Sequence, residues 1–185
     1  LKNNNADISV CGYKEIQEDE EVSSRTEKRA GKSTAEVLSR RDAQMQALGS
    51  RSINYVVPWA KLYKKEMWEQ IRFPALYALE DEYTYYKVLD KSQTVVYLNE
   101  PLYYYRVRSG SIMHNVPKWN PVLLDAWKER TAYFKKKQER KLFYYAALKV
   151  LGLLQWRISL ILEEKSSTEE DVHPAVKEYR RQYRK

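Results

Sequence analysis

The chain has 185 residues, of which 43% are hydrophobic and 31% charged, with 16 tyrosines and five tryptophans. This composition excludes an intrinsically disordered chain, because disordered segments are poor in aromatic residues. The single cysteine excludes an internal disulfide and a multi-cysteine zinc site. The length suits one ordinary domain with a substantial core, or the last part of a larger protein.

The net charge of +8 is concentrated at the C-terminal end, where residues 121–185 contain 15 Lys and Arg against nine Asp and Glu. A basic segment of this kind suits nucleic acid or an anionic membrane surface. The longest apolar runs, 150–154 and 158–162, are separated by Gln155 and Arg157. We therefore expect no span of the roughly 20 apolar residues that crosses a membrane, and a chain that is soluble or peripheral.

The first third of the chain predicts a strand, an exposed segment and a helix. Residues 6–13 contain alternating apolar and β-branched positions, which favours a strand. Residues 15–32 are highly charged and lack an apolar period, which indicates an exposed segment. Thr34 is expected to cap a helix over 35–48 that ends at Gly49.

The middle of the chain predicts short elements. Pro58 should break regular structure, and a short helix should follow through 67–68. A helix is expected to begin at the acidic residues 80–82, with its apolar residues between 85 and 89 facing the core.

The rest of the chain predicts two strands and then helices only. Residues 94–98 and 102–107 are rich in β-branched residues and tyrosine, which favours two strands or extended segments joined through 99–101. Helices are expected over 122–138, 139–164 and 169–183, the last after a Ser-Ser-Thr break.

Three adjacent acids, Glu80, Asp81 and Glu82, are the first candidate site. Successive helical residues diverge by about 100°, so at most two of them can share a target. A carboxylate placed there can act as a general base toward a hydroxyl group. The alternative is that the acids only cap a helix dipole.

The second candidate site is the end of the second tyrosine-rich strand, with Arg106, Arg108, Ser111 and His114. Two arginines two residues apart on a strand point to one face, where they can clamp a diphosphate. The alternative is an exposed strand end. His114 is a candidate for metal or phosphate binding, or a structural histidine.

The third candidate site is aromatic. Trp59, Lys61, Tyr63 and Trp68 are suited to a platform for a sugar or a base, or to core packing. The sequence has no GxxxxGK[ST], GxGxxG, HExxH or GxSxG motif, so signatures of P-loop NTPases, dinucleotide enzymes, zincins and serine hydrolases are absent.

Taken in order, five segments resemble the C-terminal half of bacterial family 2 glycosyltransferases. They are ADISVCGY at 6–13, WAKLYKK at 59–65, IRFP at 71–74, EDE at 80–82 and PLYYYRVRSGSI at 101–112. The resemblance implies an inverting, hexosyltransferase-type enzyme of GT-A fold, which moves a sugar from a nucleotide-sugar to an acceptor hydroxyl. It also implies a divalent metal, Mn or Mg, on the donor diphosphate.

The resemblance also assigns roles to residues and regions. Asp81 is expected to be the catalytic base, with Glu80 as the alternative, while Arg106, Arg108 and Ser111 close over the donor phosphates. His114 is then a candidate for metal or phosphate contact. The expected fold is α/β and helix-dominated with a few strands. Residues 1–114 would be the acceptor-side part of the catalytic domain, and 115–185 a basic helical extension.

The sequence departs from the family pattern in two ways. Many relatives have Asn where this chain has Ala60, which puts a polar acceptor contact there in question. The family's nucleotide loop and Asp-x-Asp metal motif are missing, and Asp7 is not that motif. We therefore expect a C-terminal fragment that is inactive alone, because no electrophile would be held at attack distance.

The resemblance implies a glycan or lipid-linked acceptor and a role in cell-surface or capsular polysaccharide synthesis. Residues 121–185 are then expected at the anionic inner face of the membrane, unless their basic residues are simply solvated. The expected location is cytoplasmic or peripheral to that membrane. A nucleic-acid-binding module is the rival interpretation, but the tyrosine-rich strands lie in the nearly neutral 1–120 region, so no nucleic acid partner is expected.

Overall fold

The computed structural model describes residues 2–22, 34–49, 51–112, 116–117 and 119–165. Within these residues a four-stranded sheet with the order β2-β4-β1-β3 is accompanied by five α-helices, which confirms the α/β prediction. The strands are β1 Ile8–Ile16, β2 Ala35–Ser39, β3 Lys61–Tyr63 and β4 Thr94–Arg106. The helices are α1 Arg40–Leu48, α2 Ser52–Val56, α3 Tyr85–Lys91, α4 Pro121–Lys136 and α5 Arg140–Lys165. Short 3-10 helices cover Lys2–Asn4 and Lys65–Trp68.

The parallel pair of β1 and β4 forms the centre of the sheet. The prediction of two separate strands over 94–98 and 102–107 was wrong, because β4 continues through Pro101 as one strand. The register shifts where Gly12 faces Pro101, and such an irregularity accommodates a proline that cannot donate to the ladder. A Cβ at Gly12 would lie 3.0 Å from the Glu100 carbonyl oxygen, so a glycine permits this close approach.

The start of the predicted 35–48 helix was also wrong. Ala35–Ser39 is the antiparallel strand β2, paired with residues 94–98 of β4. The helix begins only at Arg40, and Ser39 is its cap, accepting a hydrogen bond from the Asp42 amide. Gly49 ends the helix as predicted.

Two apolar cores lie side by side. The first packs α1, α2 and α3 against one face of the sheet, through residues such as Ile8, Val88 and Val95. The second joins α4 and α5 to α3 through Trp127, Phe134, Leu142, Ala146, Leu153 and Tyr86. The carboxylate of Asp90 at the end of α3 accepts hydrogen bonds from Arg40 and Tyr133, and so connects the two cores.

Helix α5 is continuous through Gln155 and Arg157, as the predicted helix over 139–164 requires. Its stretch Arg140–Leu162, of 23 residues, is long and apolar enough to cross a membrane by length and composition. This corrects the expectation that no segment is long enough. The predicted third helix at 169–183 and most of the predicted exposed segment at 15–32 lie outside the described residues.

Candidate functional site

A cavity of about 600 Å³ opens at the C-terminal part of β1, beside the acidic residues. One wall is the turn 79–82, and another is the end of α2 with the loop 57–59 that follows it. The aromatic rings of Tyr13 on β1 and Tyr105 on β4 complete the lining with the exposed Tyr77. The cavity therefore joins carboxylates to an aromatic surface, a combination found in sites that bind polar ligands with flat apolar faces.

The acidic residues lie in a turn that precedes α3, and the helix itself starts at Tyr85. The turn is closed by the Thr84 and Tyr85 amides, which donate to the Asp81 carbonyl oxygen at 2.9 and 3.0 Å. Leu79, just before it, has a φ of 67°, in the left-handed region that costs a side chain free energy. The first turn of α3 contains no acid, so the three acids precede the helix and do not lie within it.

The acids Glu82 and Asp81 have different hydrogen-bond partners in the structure. Glu82 accepts a hydrogen bond from Arg130 of α4 at 2.7 Å, and the guanidinium is almost fully buried, at 1% exposure. Asp81 accepts the Glu82 amide on Oδ1 at 2.8 Å, and both Asp81 and Glu80 line the cavity. Glu82 thus anchors the turn to α4, and all three acidic residues line the cavity.

The carboxyl group of Asp81 has a perturbed pKa. Burial, together with the neighbouring charges of Glu82 and Glu80, raises the pKa of Asp81 to about 6. A carboxylate with a pKa near neutrality accepts a proton better than an ordinary one and is still ionised at pH 7. This is the property expected of a general base.

Trp59 is the centre of an aromatic cluster on the sheet. Its ring stacks on Tyr103 and Tyr105, each at 5.0 Å between centroids, and Tyr13 meets it edge-on at 4.8 Å. Tyr13, Tyr103 and Tyr105 alternate on paired strands, so their side chains share a face. Trp59 is therefore held rigidly at the cavity wall.

Lys61 has a different position from the one the platform interpretation gave it. Its Nζ donates to the carbonyl oxygens of Val57 at 2.5 Å and Trp59 at 3.3 Å, and lies 5.5 Å from the Tyr85 ring centroid. Burial lowers the pKa of Lys61 to about 7, an effect that the nearby Asp81 carboxylate partly opposes. The ammonium group thus closes the loop that carries Trp59.

Tyr63 and Trp68 are not brought to the aromatic cluster of Trp59. They meet each other edge-on at 5.2 Å and both pack against Tyr85, beside the first core. The four residues of the predicted platform are thus divided between the cavity wall, a loop closure and the core. A ligand contact by Tyr63 has no support in this geometry.

The arginine-serine segment follows β4, which ends at Arg106. Nη1 of Arg106 donates to the carbonyl oxygens of Gln17, Glu18 and Glu20, so it holds the segment after β1. Arg108 lies beyond the strand and is exposed, and its carbonyl accepts the Ser111 amide in a turn. The two arginines therefore do not share a strand face, and His114 lies outside the described residues.

The described part of the chain provides no set of side chains that could bind the expected divalent metal. No group of three or more His, Cys, Asp or Glu side chains there is arranged to hold a metal ion. Glu82 is engaged by Arg130, and Asp7 by Lys64 and the amides of Gln93 and Thr94. The described residues do not fit a metal site on their own.

Sequence reasoning missed three contributors to this site. Tyr13 and Tyr105 were read only as strand residues, and Arg130 only as part of a helix. In a strand, the first and third of the consecutive tyrosines 103–105 share a face, which was a visible signal for an aromatic surface. The Glu82–Arg130 pair joins residues 48 positions apart, and no local pattern indicates it.

Two known proteins are similar to parts of the chain, and no protein-family model matches it. A segment of 81 residues, 43% of the chain, is 42% identical to a glycosyltransferase named GlyA of Streptococcus pneumoniae serotype 4. A segment of 59 residues, 32% of the chain, is 37% identical to a glycosyltransferase named GlyG of the same organism. The matched segments make up 12% and 20% of the lengths of those two proteins. The chain is thus related in sequence, over part of its length, to streptococcal glycosyltransferases.

Proposed function

We propose that this chain forms the acceptor side of an inverting family 2 glycosyltransferase of GT-A type, with Asp81 as its catalytic base. The observation that carries the proposal is that Asp81 lines a cavity of about 600 Å³ together with Trp59 and Tyr105. The partial similarity to two glycosyltransferases supports the same reaction class. Glu80, in the same wall, is the alternative base.

The proposed reaction is a displacement at the anomeric carbon of the donor sugar. The acceptor hydroxyl oxygen forms the new bond to that carbon, the bond to the nucleoside diphosphate breaks, and the hydroxyl proton passes to the Asp81 carboxylate. The pKa of about 6 keeps this carboxylate ionised at pH 7 and basic enough to take the proton as the bond forms. The acceptor sugar is proposed to pack against the parts of the Trp59 and Tyr105 rings that line the cavity.

On the donor side, the proposal assigns a nucleotide-sugar whose diphosphate is met by Arg108 and Ser111. Arg106, which is engaged with backbone carbonyls, would support that segment or contact the phosphates after rearrangement. A divalent metal, Mn or Mg, would neutralise the leaving diphosphate, with His114 as the candidate ligand in this chain. The 185-residue chain alone is proposed to be inactive, because it lacks the motifs that the family uses to hold the nucleotide.

The acceptor is proposed to be a glycan or a lipid-linked glycan in cell-surface or capsular polysaccharide synthesis. Such an acceptor is consistent with a cytoplasmic enzyme working at the inner face of the membrane. The relatives' names specify only glycosyl transfer.

The proposal is tested by transfer assays on the full-length protein, with a panel of nucleotide-sugars, manganese and glycan acceptors. Asp81→Asn should lower transfer by about 10²-fold or more while leaving donor affinity within about twofold, because the base acts on the acceptor. Glu80→Gln is the matched control and should retain most of the transfer activity. Full activity of Asp81→Asn, or a larger loss in Glu80→Gln, would reassign the base.

A further inference from the structure

Helix α5 presents an apolar face that no described part of the chain covers. Leu148 is 62% exposed, Leu151 50% and Leu162 57%, and Tyr144 lies on the same side. The flank of this face carries two further exposed aromatic residues, Tyr145 and Trp156, and the Trp156 ring meets Trp119 edge-on at 5.8 Å. The opposite side of the helix is buried against α4 through Leu142, Ala146 and Leu153. A helix with apolar residues on both sides is normally in contact with other protein or with lipid on both sides.

The charges along α5 indicate what covers the outer face. Residues 140–162 contain four basic residues and no acidic residue. Lys141 and Lys149 are exposed, and the end of α4 adds three exposed lysines, 135–137. Basic residues beside an apolar and aromatic face match the chemistry of an anionic lipid surface, where Trp and Tyr prefer the headgroup level.

We infer that α5 docks on an anionic phospholipid bilayer, with Leu148, Leu151 and Trp156 inserted at the boundary between headgroups and acyl chains. The helix lies in the plane of the interface. This docking is a property of the α4–α5 surface and does not depend on the proposed sugar chemistry.

The packing of α4 excludes the other membrane geometry, in which α5 crosses the bilayer. The two helices pack side by side, so a crossing α5 would take α4 with it. Helix α4 carries Arg130, paired with Glu82, and Glu129, which accepts from Tyr86 and pairs with Lys87. Moving these charges and their partners into hydrocarbon is costly, whereas an in-plane α5 leaves them outside.

The test is co-sedimentation of the 185-residue chain with vesicles of phosphatidylglycerol and phosphatidylcholine, against vesicles of phosphatidylcholine alone. We expect binding to the anionic vesicles that weakens as salt rises. The double variant Leu148→Gln/Leu151→Gln should lower the partition coefficient about tenfold or more, because each leucine loses the gain of entering the acyl region. The matched control Leu62→Gln/Leu102→Gln changes two leucines of similar exposure on the sheet, 66% and 54%, and should bind as the parent does.

A second measurement uses the parent chain and does not depend on the leucine variants. Phospholipids with brominated acyl chains should quench tryptophan fluorescence, and Trp156→Phe should remove most of that quenching. The inference is overturned if the parent chain does not bind anionic vesicles. It is also overturned if the double leucine variant binds them as tightly as the parent, or if Trp156→Phe leaves the fluorescence quenching unchanged. A dimer in analytical ultracentrifugation that the leucine variants dissociate, without vesicle binding, would instead assign the face to a second copy of the chain.

Discussion

The Asp81 carboxyl illustrates how a residue suited to catalysis can weaken the fold that carries it. Its pKa in the folded chain is about 6, above the value of about 3.9 in an unfolded chain. The fold therefore favours the protonated form. With respect to this group, the free energy of unfolding is highest below pH 4, and it falls as the pH rises through 6 and the buried carboxyl ionises.

Asp81→Asn is accordingly expected to stabilise the chain at neutral and alkaline pH. The gain in the free energy of unfolding should be about 2 to 3 kcal/mol at pH 8, where the substitution removes a buried charge. It should fall below about 1 kcal/mol near pH 4.5. Urea unfolding of both proteins at the two pH values measures this, and a gain that is the same at both would contradict the role of ionisation.

Ala60 provides a second prediction, because its φ of 58° is in the left-handed region. Ala60→Gly should raise the free energy of unfolding by about 0.5 to 1 kcal/mol, since glycine adopts this conformation without steric cost. Ala132→Gly, in the exposed middle of α4, is the matched control and should lower it by about 1 kcal/mol. A loss of stability in both variants would show that Ala60 is not strained. Asn tolerates the same conformation, which gives the Asn of the family pattern a backbone explanation.

Among single residues, the sequence identified Trp59 and the three acids 80–82 as site candidates, and in the structure all four residues line the cavity. It could not separate Trp59 from Tyr63. The left-handed turn at Ala60 redirects the chain between them, and alanine gives no local signal for such a turn. The sequence also could not predict that Glu82, and not its two acidic neighbours, pairs with Arg130, because Arg130 lies 48 positions away in the chain.

At the scale of elements, the Glu82–Arg130 pair fixes the acidic turn to α4. Glu82→Ala should lower the free energy of unfolding by about 3 kcal/mol, because the buried guanidinium would lose its charged partner. Glu80→Ala, which removes no such pair, should cost less than about 1 kcal/mol. Equal losses in the two variants, measured by denaturant unfolding, would contradict the assignment of Glu82 as the anchor.

The elements themselves were predicted where the pattern is local. The strand at β1 and the helices α4 and α5 follow from their composition and periodicity. β2 was read as helix because Val37 and Leu38 fit either period, and only its pairing with β4 decides for a strand. Residues 99–101 were read as a connection between two strands because the accommodation of Pro101 depends on Gly12, about 90 positions away on the neighbouring strand.

At the scale of the whole molecule, Asp90 joins the two cores. Its carboxylate accepts from Arg40 of α1 and Tyr133 of α4, and lies 3.2 Å from Lys137. Burial raises the pKa of Asp90, but these hydrogen bonds outweigh burial and hold the pKa below its usual value. The stabilisation is therefore present above about pH 4 and is lost as the pH falls through the lowered pKa, opposite in sign to Asp81.

Asp90→Asn should lower the free energy of unfolding by about 2 to 3 kcal/mol at pH 7, because three donors lose a charged acceptor. The difference from the parent should narrow toward pH 3, where the parent's carboxylate is also protonated. Thermal and urea unfolding across this range test it. A difference that does not change with pH would mean that shape, and not charge, accounts for the contribution of Asp90.

The central claim is that the Asp81 carboxylate takes the acceptor's proton during glycosyl transfer. The most direct measurement is the pH dependence of kcat/KM for the acceptor, in the full-length protein saturated with donor and metal. The account predicts an acid limb with an apparent pKa of about 6, the value that burial and neighbouring acids give Asp81. A profile that stays flat from pH 8 down to pH 5, or whose acid limb is unchanged in Asp81→Asn, would contradict it.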